Sequence, residues 1–356
     1  MKKHFYWLDW IRFLAAFVVV FAHAKQNIFG DYVQLAAISK TTATAFFYFF
    51  FRLGNESVIV FFVLSGFLVG GLSIERILQG TFDLASYSID RGVRIYMPLI
   101  PALVLSGIIA LCTGKSLNGW EFVGNLLQLQ GVLVDNFASN GPLWSLAYEC
   151  WYYLAIPCFF LFFTRKQQWH IWLASIVVFF AIFTKLEVVY LFCWFIGALF
   201  YFNRPKNHCL LDLSLAAVLI LLGLAFSQLN TASRSIQVSQ YADIIPGGAV
   251  SQLIFATGCA FFIRAAAISK PHRIFIQKIE SYGTFLASFS YTLYLIHYPI
   301  LRILAPYFKL NDGIIDYYAI VKLGIAVMIC LISAYLFYLL FERNTTIVKQ
   351  WVKRFC

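Results

Sequence analysis

Charge is what this chain has least of. Asp, Glu, Lys and Arg make up 12% of its 356 residues, about half of the ~25% usual in soluble domains. No polar stretch runs beyond about 30 residues, which leaves little room for a separate soluble domain. There is no fixed-period repeat and no low-complexity linker. No G-x-S-x-G, Walker loop, H-E-x-x-H or G-x-G-x-x-G stands in a fitting context, which argues against a serine hydrolase, an NTPase and a zinc protease. The eight cysteines include no C-x-x-C pair and have no His partner at ligand spacing. They read as small apolar residues, and no metal site is expected.

What is present is apolar. Hydrophobic residues make up 61% and aromatics 19%, with a mean hydropathy of +0.78. Runs of about 17–25 apolar residues are transmembrane candidates. Ten stand at roughly 8–24, 57–74, 95–113, 143–163, 169–184, 188–202, 210–227, 246–268, 285–305 and 317–341. Residues 43–51 are apolar but too short to span, and read as an interfacial or re-entrant piece. The expected fold is all-α: a polytopic transmembrane helix bundle of about ten spans, forming one membrane domain over 1–356.

The net charge of +11 invites a nucleic-acid reading. Topology accounts for it better, and no nucleic-acid partner is expected. With both termini cytoplasmic, seventeen Lys and Arg fall on the inner side and nine outside, with Arg12 in neither group. Lys2 and Lys3 followed by an apolar run and Ala22-His23-Ala24 imitate a cleavable signal peptide. Cleavage would discard the polar residues of the first span, so the segment is expected to stay.

Those residues are Asp9, Arg12 and His23. Ionisable groups inside a bilayer are costly and mark pathways or sites. Arg12 and His23 are eleven residues apart, three turns plus about 20° of rotation and about 16 Å along the axis. Asp9, Arg12, Ala16, Val19 and His23 therefore form one stripe, which should face protein rather than lipid. Four further groups stand out. Arg91 and Arg94 project from one face at the inner mouth of the third span, and paired guanidinium groups suit a phosphorylated ligand. Pro142-Leu143-Trp144-Ser145-Leu146 opens the fourth span. Glu149 lies two turns in, where a carboxylate must pair or be protonated. Ser290, Tyr294 and His297 share a face of a late span, while Ser65-Gly66 reads as a close-packing pair.

Taken in order, these motifs resemble the acyltransferase-3 family of integral-membrane acyltransferases. They are R-x10-H with Asp9, the Phe-Phe-Val-Leu-Ser-Gly-Phe-Leu run at 61–68, Arg91-x-x-Arg94, Pro142–Leu146 with Glu149, and Ser290-Tyr291 through Leu295-Ile296-His297. The resemblance runs from about Leu8 to Phe341. It departs from the family at Phe13, where glycine is common, and at Asp90, where a basic residue is common.

The resemblance implies transfer of an acyl group, usually acetyl from cytoplasmic acetyl-CoA, across the bacterial inner membrane. The acceptor would be a hydroxyl of a cell-envelope glycan, such as lipopolysaccharide O-antigen or another surface polysaccharide. His23 matches the family's catalytic histidine, Arg12 its partner, and Arg91 with Arg94 the paired arginines that would hold acetyl-CoA. On this reading Asp9 orients Arg12. Glu149 binds the acceptor or tunes His23, and Trp144, Ser145, Tyr294 and His297 support the acceptor side. The chain stops at Cys356 and is expected to work without the extra esterase-like domain of some relatives. The competing class is a proton-coupled transporter or a flippase of a lipid-linked sugar. Such a carrier would show internal repeats and paired broken helices; none is evident. A sensor or scaffold would leave R-x10-H and the arginine pair unexplained.

Overall fold

A computed structural model describes residues 5–164, 169–202, 210–235, 247–268, 274–310 and 312–354. Fifteen α-helices form the described chain: α1 (Tyr6–Phe29), α2 (Thr42–Phe50), α3 (Gly54–Ser65), α4 (Leu72–Leu78), α5 (Leu84–Cys112), α6 (Gly119–Leu126), α7 (Leu143–Thr164), α8 (Trp169–Phe183), α9 (Val188–Phe202), α10 (Leu210–Ser235), α11 (Gly248–Ile268), α12 (Ile274–Ser288), α13 (Ser290–Phe308), α14 (Tyr317–Leu340) and α15 (Thr345–Val352). A π-helical turn, Gly66–Gly71, joins α3 to α4. The described residues contain no strand, only one isolated bridge between Gln130 and Val134.

The protein is a multi-pass membrane protein by the length and apolarity of its helices. All ten expected segments are helical. Six stretches have both the length and the hydropathy to cross a bilayer: Tyr6–Gln34, Thr42–Leu78, Leu84–Cys112, Leu210–Asn230, Gly248–Ala267 and Tyr317–Val352. The apolar helices at 173–183 and 188–202 are shorter than a full span. Lys2, Lys3, Arg165, Lys166, Arg204, Lys206, Lys270 and Arg273 of the charge count, with Cys209 and Cys356, lie outside the described residues.

Contacts divide the chain into two compact units. The first comprises Met1–Arg12, Val58–Phe82 and Tyr148–Thr284; the second comprises Phe13–Ser57, Asp83–Ala147 and Phe285–Cys356.

The first unit is built on close backbone approach. A Cβ at Gly66 would lie 1.9 Å from the carbonyl oxygen of Trp194, and one at Gly197 would lie 2.0 Å from that of Val63. The expected packing role of Ser65-Gly66 is therefore realised against α9, where only glycine lets two helix backbones touch. Above this contact runs a polar chain: Trp194 Nε1 donates to Ser65 Oγ (3.2 Å), Ser65 Oγ to Tyr153 Oη (3.1 Å), and Tyr153 Oη to Glu149. Elsewhere in the unit, α10 and α11 are pinned by a buried pair. Arg264 Nε and Nη2 reach the two oxygens of Asp212 at 2.9 and 2.6 Å, with the guanidinium carbon 4.9 Å from the centres of both the Phe200 and the Phe261 ring. Arg264, one of the seventeen cations counted on the inner side, lies buried inside α11, where Asp212 supplies the charge that makes its burial tolerable.

In the second unit α13 and α14 run antiparallel. Cys330 Sγ lies 3.8 Å from the His297 carbonyl, and Thr292 Oγ1 donates to buried Glu342 at 2.6 Å. α5 begins at an N-cap, Asp83, whose carboxylate accepts from the Ala85 and Ser86 amides. Hydrogen bonds from that Ser86 amide first, then from its hydroxyl, hold the Asp83 carboxyl below its ordinary pKa. Elsewhere in the unit the chain after α13 is tied to the end of α1 by Leu310 N to Ile28 O and to the 30–41 loop by Ala36 N to Gly313 O, both 3.0 Å. The short apolar segment at 43–51 is α2, which exposes Phe46, Phe49 and Phe50.

Candidate active site

α1 carries the polar stripe the spacing predicts. Ala16 and Val19, between its polar ends, are fully buried, so the stripe faces protein. At its start, within the first unit, Asp9 is buried. Its Oδ2 accepts from Thr284 Oγ1 at 3.0 Å and its Oδ1 lies 3.7 Å from Arg12 Nη1. Trp10 fixes this end of the helix by donating to the Ile279 carbonyl at 2.9 Å. Asp9 thus orients Arg12 by an ion pair one turn long.

His23, in the second unit, meets a second histidine. Its Nδ1 lies 3.0 Å from Nε2 of His297, and the two rings meet edge to edge, their planes 27° apart and their centroids 5.2 Å apart. His297 is completely buried, and its own Nδ1 lies 3.0 Å from the Leu293 carbonyl. A carbonyl oxygen only accepts, so His297 Nδ1 carries the proton. In a neutral imidazole its Nε2 is then an acceptor. His23 Nδ1 must therefore be the donor, which leaves His23 Nε2 with a free lone pair. Two hydrogen bonds in series fix the tautomer of the outer ring. Tyr298 closes edge-on against His23 at 5.3 Å, and Asn27 Nδ2 donates to the His23 carbonyl at 2.8 Å.

The position of His297 has its own support. Pro299 has no N–H, so the Leu295 carbonyl, four residues back, loses its helical donor. Asn140 replaces it: its Nδ2 donates to Leu295 O at 3.0 Å and lies 3.2 Å from Ser106 Oγ on α5. Sequence reasoning missed Asn140, although a proline two residues after a histidine announces a carbonyl in need of a partner. Ser145 and Tyr294 lie beside this point. Tyr294 Oη donates to the Pro142 carbonyl at 3.1 Å and lies 2.6 Å from Ser145 Oγ, both side chains buried. They tie the start of α7 to α13. Trp144 is half-buried at the second position of α7. Glu149 belongs to the first unit, where it accepts from Tyr153.

Arg91 and Arg94 sit half-buried in the second and third turns of α5. Between α5 and α15 stands Asp90, with Lys349 Nζ and Lys353 Nζ at 3.7 and 3.3 Å from the same oxygen, Oδ1. The charges of Arg91 and Arg94 also act on Lys349. The carboxylate that breaks the basic pattern at position 90 thus draws in two lysines. Two lysines share that one anion beside the arginine pair. Lys25, counted as an outer-loop cation, is 4% exposed, with its ammonium 4.4 Å from the centre of the Tyr48 ring. Among the described residues there is no cluster of three His, Cys, Asp or Glu able to hold a metal, and Cys150, Cys193, Cys259 and Cys330 are buried thiols.

A family model described as an acyltransferase domain matches residues 5–349. The chain belongs to the acyltransferase-3 family. An uncharacterized protein of Haemophilus influenzae is 27% identical to this acyltransferase over 222 residues, 57% of this chain and 86% of that protein. No solved structure matches it.

Proposed function

We propose that this acyltransferase moves an acetyl group from cytoplasmic acetyl-CoA to a hydroxyl of a cell-envelope glycan, in the bacterial inner membrane. The lipopolysaccharide O-antigen or a similar surface polysaccharide is the acceptor. The observation that carries this reading is the His23–His297 pair. It presents an unprotonated Nε2 on a neutral ring, the group that a general base in acyl transfer requires.

In the proposed step the acceptor hydroxyl oxygen bonds to the thioester carbonyl carbon while His23 Nε2 takes the hydroxyl proton. The positive charge on His23 is shared through its Nδ1–H with His297 Nε2. The C–S bond then breaks, the electron pair leaves on the CoA sulfur, and that sulfur takes the proton from His23. The products are the acetyl ester and free CoA. Arg91 and Arg94 hold the phosphates of the donor, and Arg12, three turns before His23 on α1, is its partner cation. The family match favours transfer over transport.

The test uses purified protein in nanodiscs with acetyl-CoA and envelope glycan. Wild type releases free CoA in proportion to glycan ester formed, and His23→Ala does neither. Acetyl-CoA alone leaves no acetyl group on His23 by mass spectrometry. CoA release by His23→Ala at the wild-type rate refutes the assignment. Glycans from cells with and without the protein, compared by mass spectrometry, identify the acceptor.

A further inference from the structure

The segment between α5 and α7 borders an open cleft of about 380 Å³ that the transfer step above does not use, lined by Asn118, Trp120, Glu121, Val132, Val134 and Asp135. Its size falls within the range of small-ligand sites. Trp120 is 63% exposed, and its indole N–H donates to no described residue. The Asp135 carboxylate likewise makes no hydrogen bond among the described residues, while its backbone carbonyl is held by Asn125 Nδ2 at 2.8 Å. Glu121 uses one oxygen to accept from Asn118 Nδ2 at 3.2 Å, and Asn118 Oδ1 caps α6 through the Trp120 amide. These local bonds fix the wall of the cleft and leave its carboxylate oxygens as acceptors.

The segment is also held in unfavourable backbone shapes. Gln128, Ala138 and Ser139 have φ of 59°, 52° and 55°, a region non-glycine residues avoid, and such strain concentrates at binding sites. Side-chain bonds hold it there: Gln130 Nε2 to Leu143 O at 3.0 Å and Arg302 Nη1 to Ala138 O at 2.9 Å. The cleft lies at the C-terminal end of α5, opposite the end that carries Arg91 and Arg94. Its segment ends at Asn140, which grips α13 two residues before His297.

We propose that this cleft binds the saccharide acceptor, and that the acceptor is neutral at that point. An exposed indole face offers a flat apolar platform for a sugar ring, and carboxylate and amide oxygens accept from its hydroxyls. Two carboxylates with no lining cation repel a uronate, a sialate or a phosphorylated sugar. The inference rests on the acetyl-transfer reading and names its acceptor class.

The test measures binding to purified protein in nanodiscs. The probes are neutral oligosaccharides released from the host envelope by mild acid, and uronate-containing oligosaccharides of the same length. Acetyl-CoA binding, measured in parallel, reports that each variant is folded. The expected results are that Trp120→Ala and Asp135→Asn weaken neutral-sugar binding about tenfold and Trp120→Phe recovers most of the loss. Wild type prefers the neutral over the acidic probe about tenfold at low salt. Unchanged sugar binding in Trp120→Ala and Asp135→Asn overturns the inference, as does equal or better binding of the acidic probe. Quenching of Trp120 by brominated lipid, taken as the difference from Trp120→Phe, also overturns it and makes the residue a membrane-surface anchor. If wild type esterifies the sugar while these variants bind it normally, only the cleft is wrong. If wild type binds acetyl-CoA but neither binds nor esterifies any sugar, the glycan reading falls with it.

Discussion

Replacing His297 by alanine removes the imidazole acceptor for His23 Nδ1–H, 3.0 Å away, leaves that ring only the Val19 carbonyl, and frees the proposed catalytic ring to rotate or to change tautomer. A buried donor without a partner costs about 1–3 kcal/mol. At 1.36 kcal/mol per factor of ten, the loss in turnover is about 5- to 150-fold. The donor grip involves other residues, so KM for acetyl-CoA should not move. The pair of amide substitutions sharpens the test. In His297→Gln the carbonyl oxygen stands where Nε2 stood and accepts from His23, so most of the rate returns. In His297→Asn the amide stands where Nδ1 stood, beside the Leu293 carbonyl, and the rate stays low. Thiol release in nanodiscs gives kcat and KM, and thermal unfolding confirms that each variant is folded. Wild-type kcat in a folded His297→Ala protein would falsify the tautomer argument. So would a ¹⁵N spectrum showing the neutral His23 ring protonated on Nε2.

The lysines drawn to Asp90 predict that Lys349→Ala with Lys353→Ala raises KM for acetyl-CoA about three- to fivefold at low salt, since part-exposed cations each contribute under about 1 kcal/mol. The difference should vanish near 0.3 M NaCl, roughly where screening shortens to a few ångströms, and a salt-independent KM in wild type would sink the idea. Gly197→Ala forces a Cβ to 2.0 Å from the Val63 carbonyl and should lower stability by about 2–3 kcal/mol or abolish folding; an unchanged melting temperature contradicts the packing. Arg264→Ala strands the buried Asp212 carboxylate and should cost about 3–5 kcal/mol, whereas Arg264→Leu with Asp212→Leu should cost much less. Equal losses in the single and double variants would show that the pair is not coupled.

Much of this was legible because intramembrane polar residues are few and each has a reason. Asp9, Arg12 and His23 fall on one face by helix arithmetic, and the structure buries the slim residues between them. Ser290, Tyr294 and His297 read as a second stripe for the same reason. The meeting of the two stripes through His23 and His297 was not legible, because nothing in one helix's period says which other helix it faces. Asn140 was hidden for a different cause: its role is to satisfy a carbonyl that Pro299 frees 155 residues later than Asn140 itself. The burial of Arg264 and Lys25 also escaped the charge count, which treats any cation near the end of an apolar run as a loop residue. One is neutralised by Asp212 and the other shielded by the Tyr48 ring. The number of spans suffers similarly, since an apolar run at 188–202 makes a helix of only 15 residues.

The partner of His23 also makes physical sense as a histidine rather than a carboxylate. In a water-facing triad an aspartate orients the base and balances the imidazolium. Inside a bilayer the same aspartate would hold a resting negative charge at a cost of several kcal/mol. Two neutral imidazoles in series fix the tautomer with no resting charge, and their charge exists only while a proton is in transit. The architecture of the second unit fits that economy. Arg94 and Ser106 are twelve residues apart on α5, about 18 Å along its axis, and Asn140 joins Ser106 to Leu295 beside the histidine pair. The cations that suit phosphates therefore sit more than half a hydrocarbon thickness from the neutral pair. On the proposed mechanism the donor, held at one end and reacting at the other, is a long one, charged only at its held end.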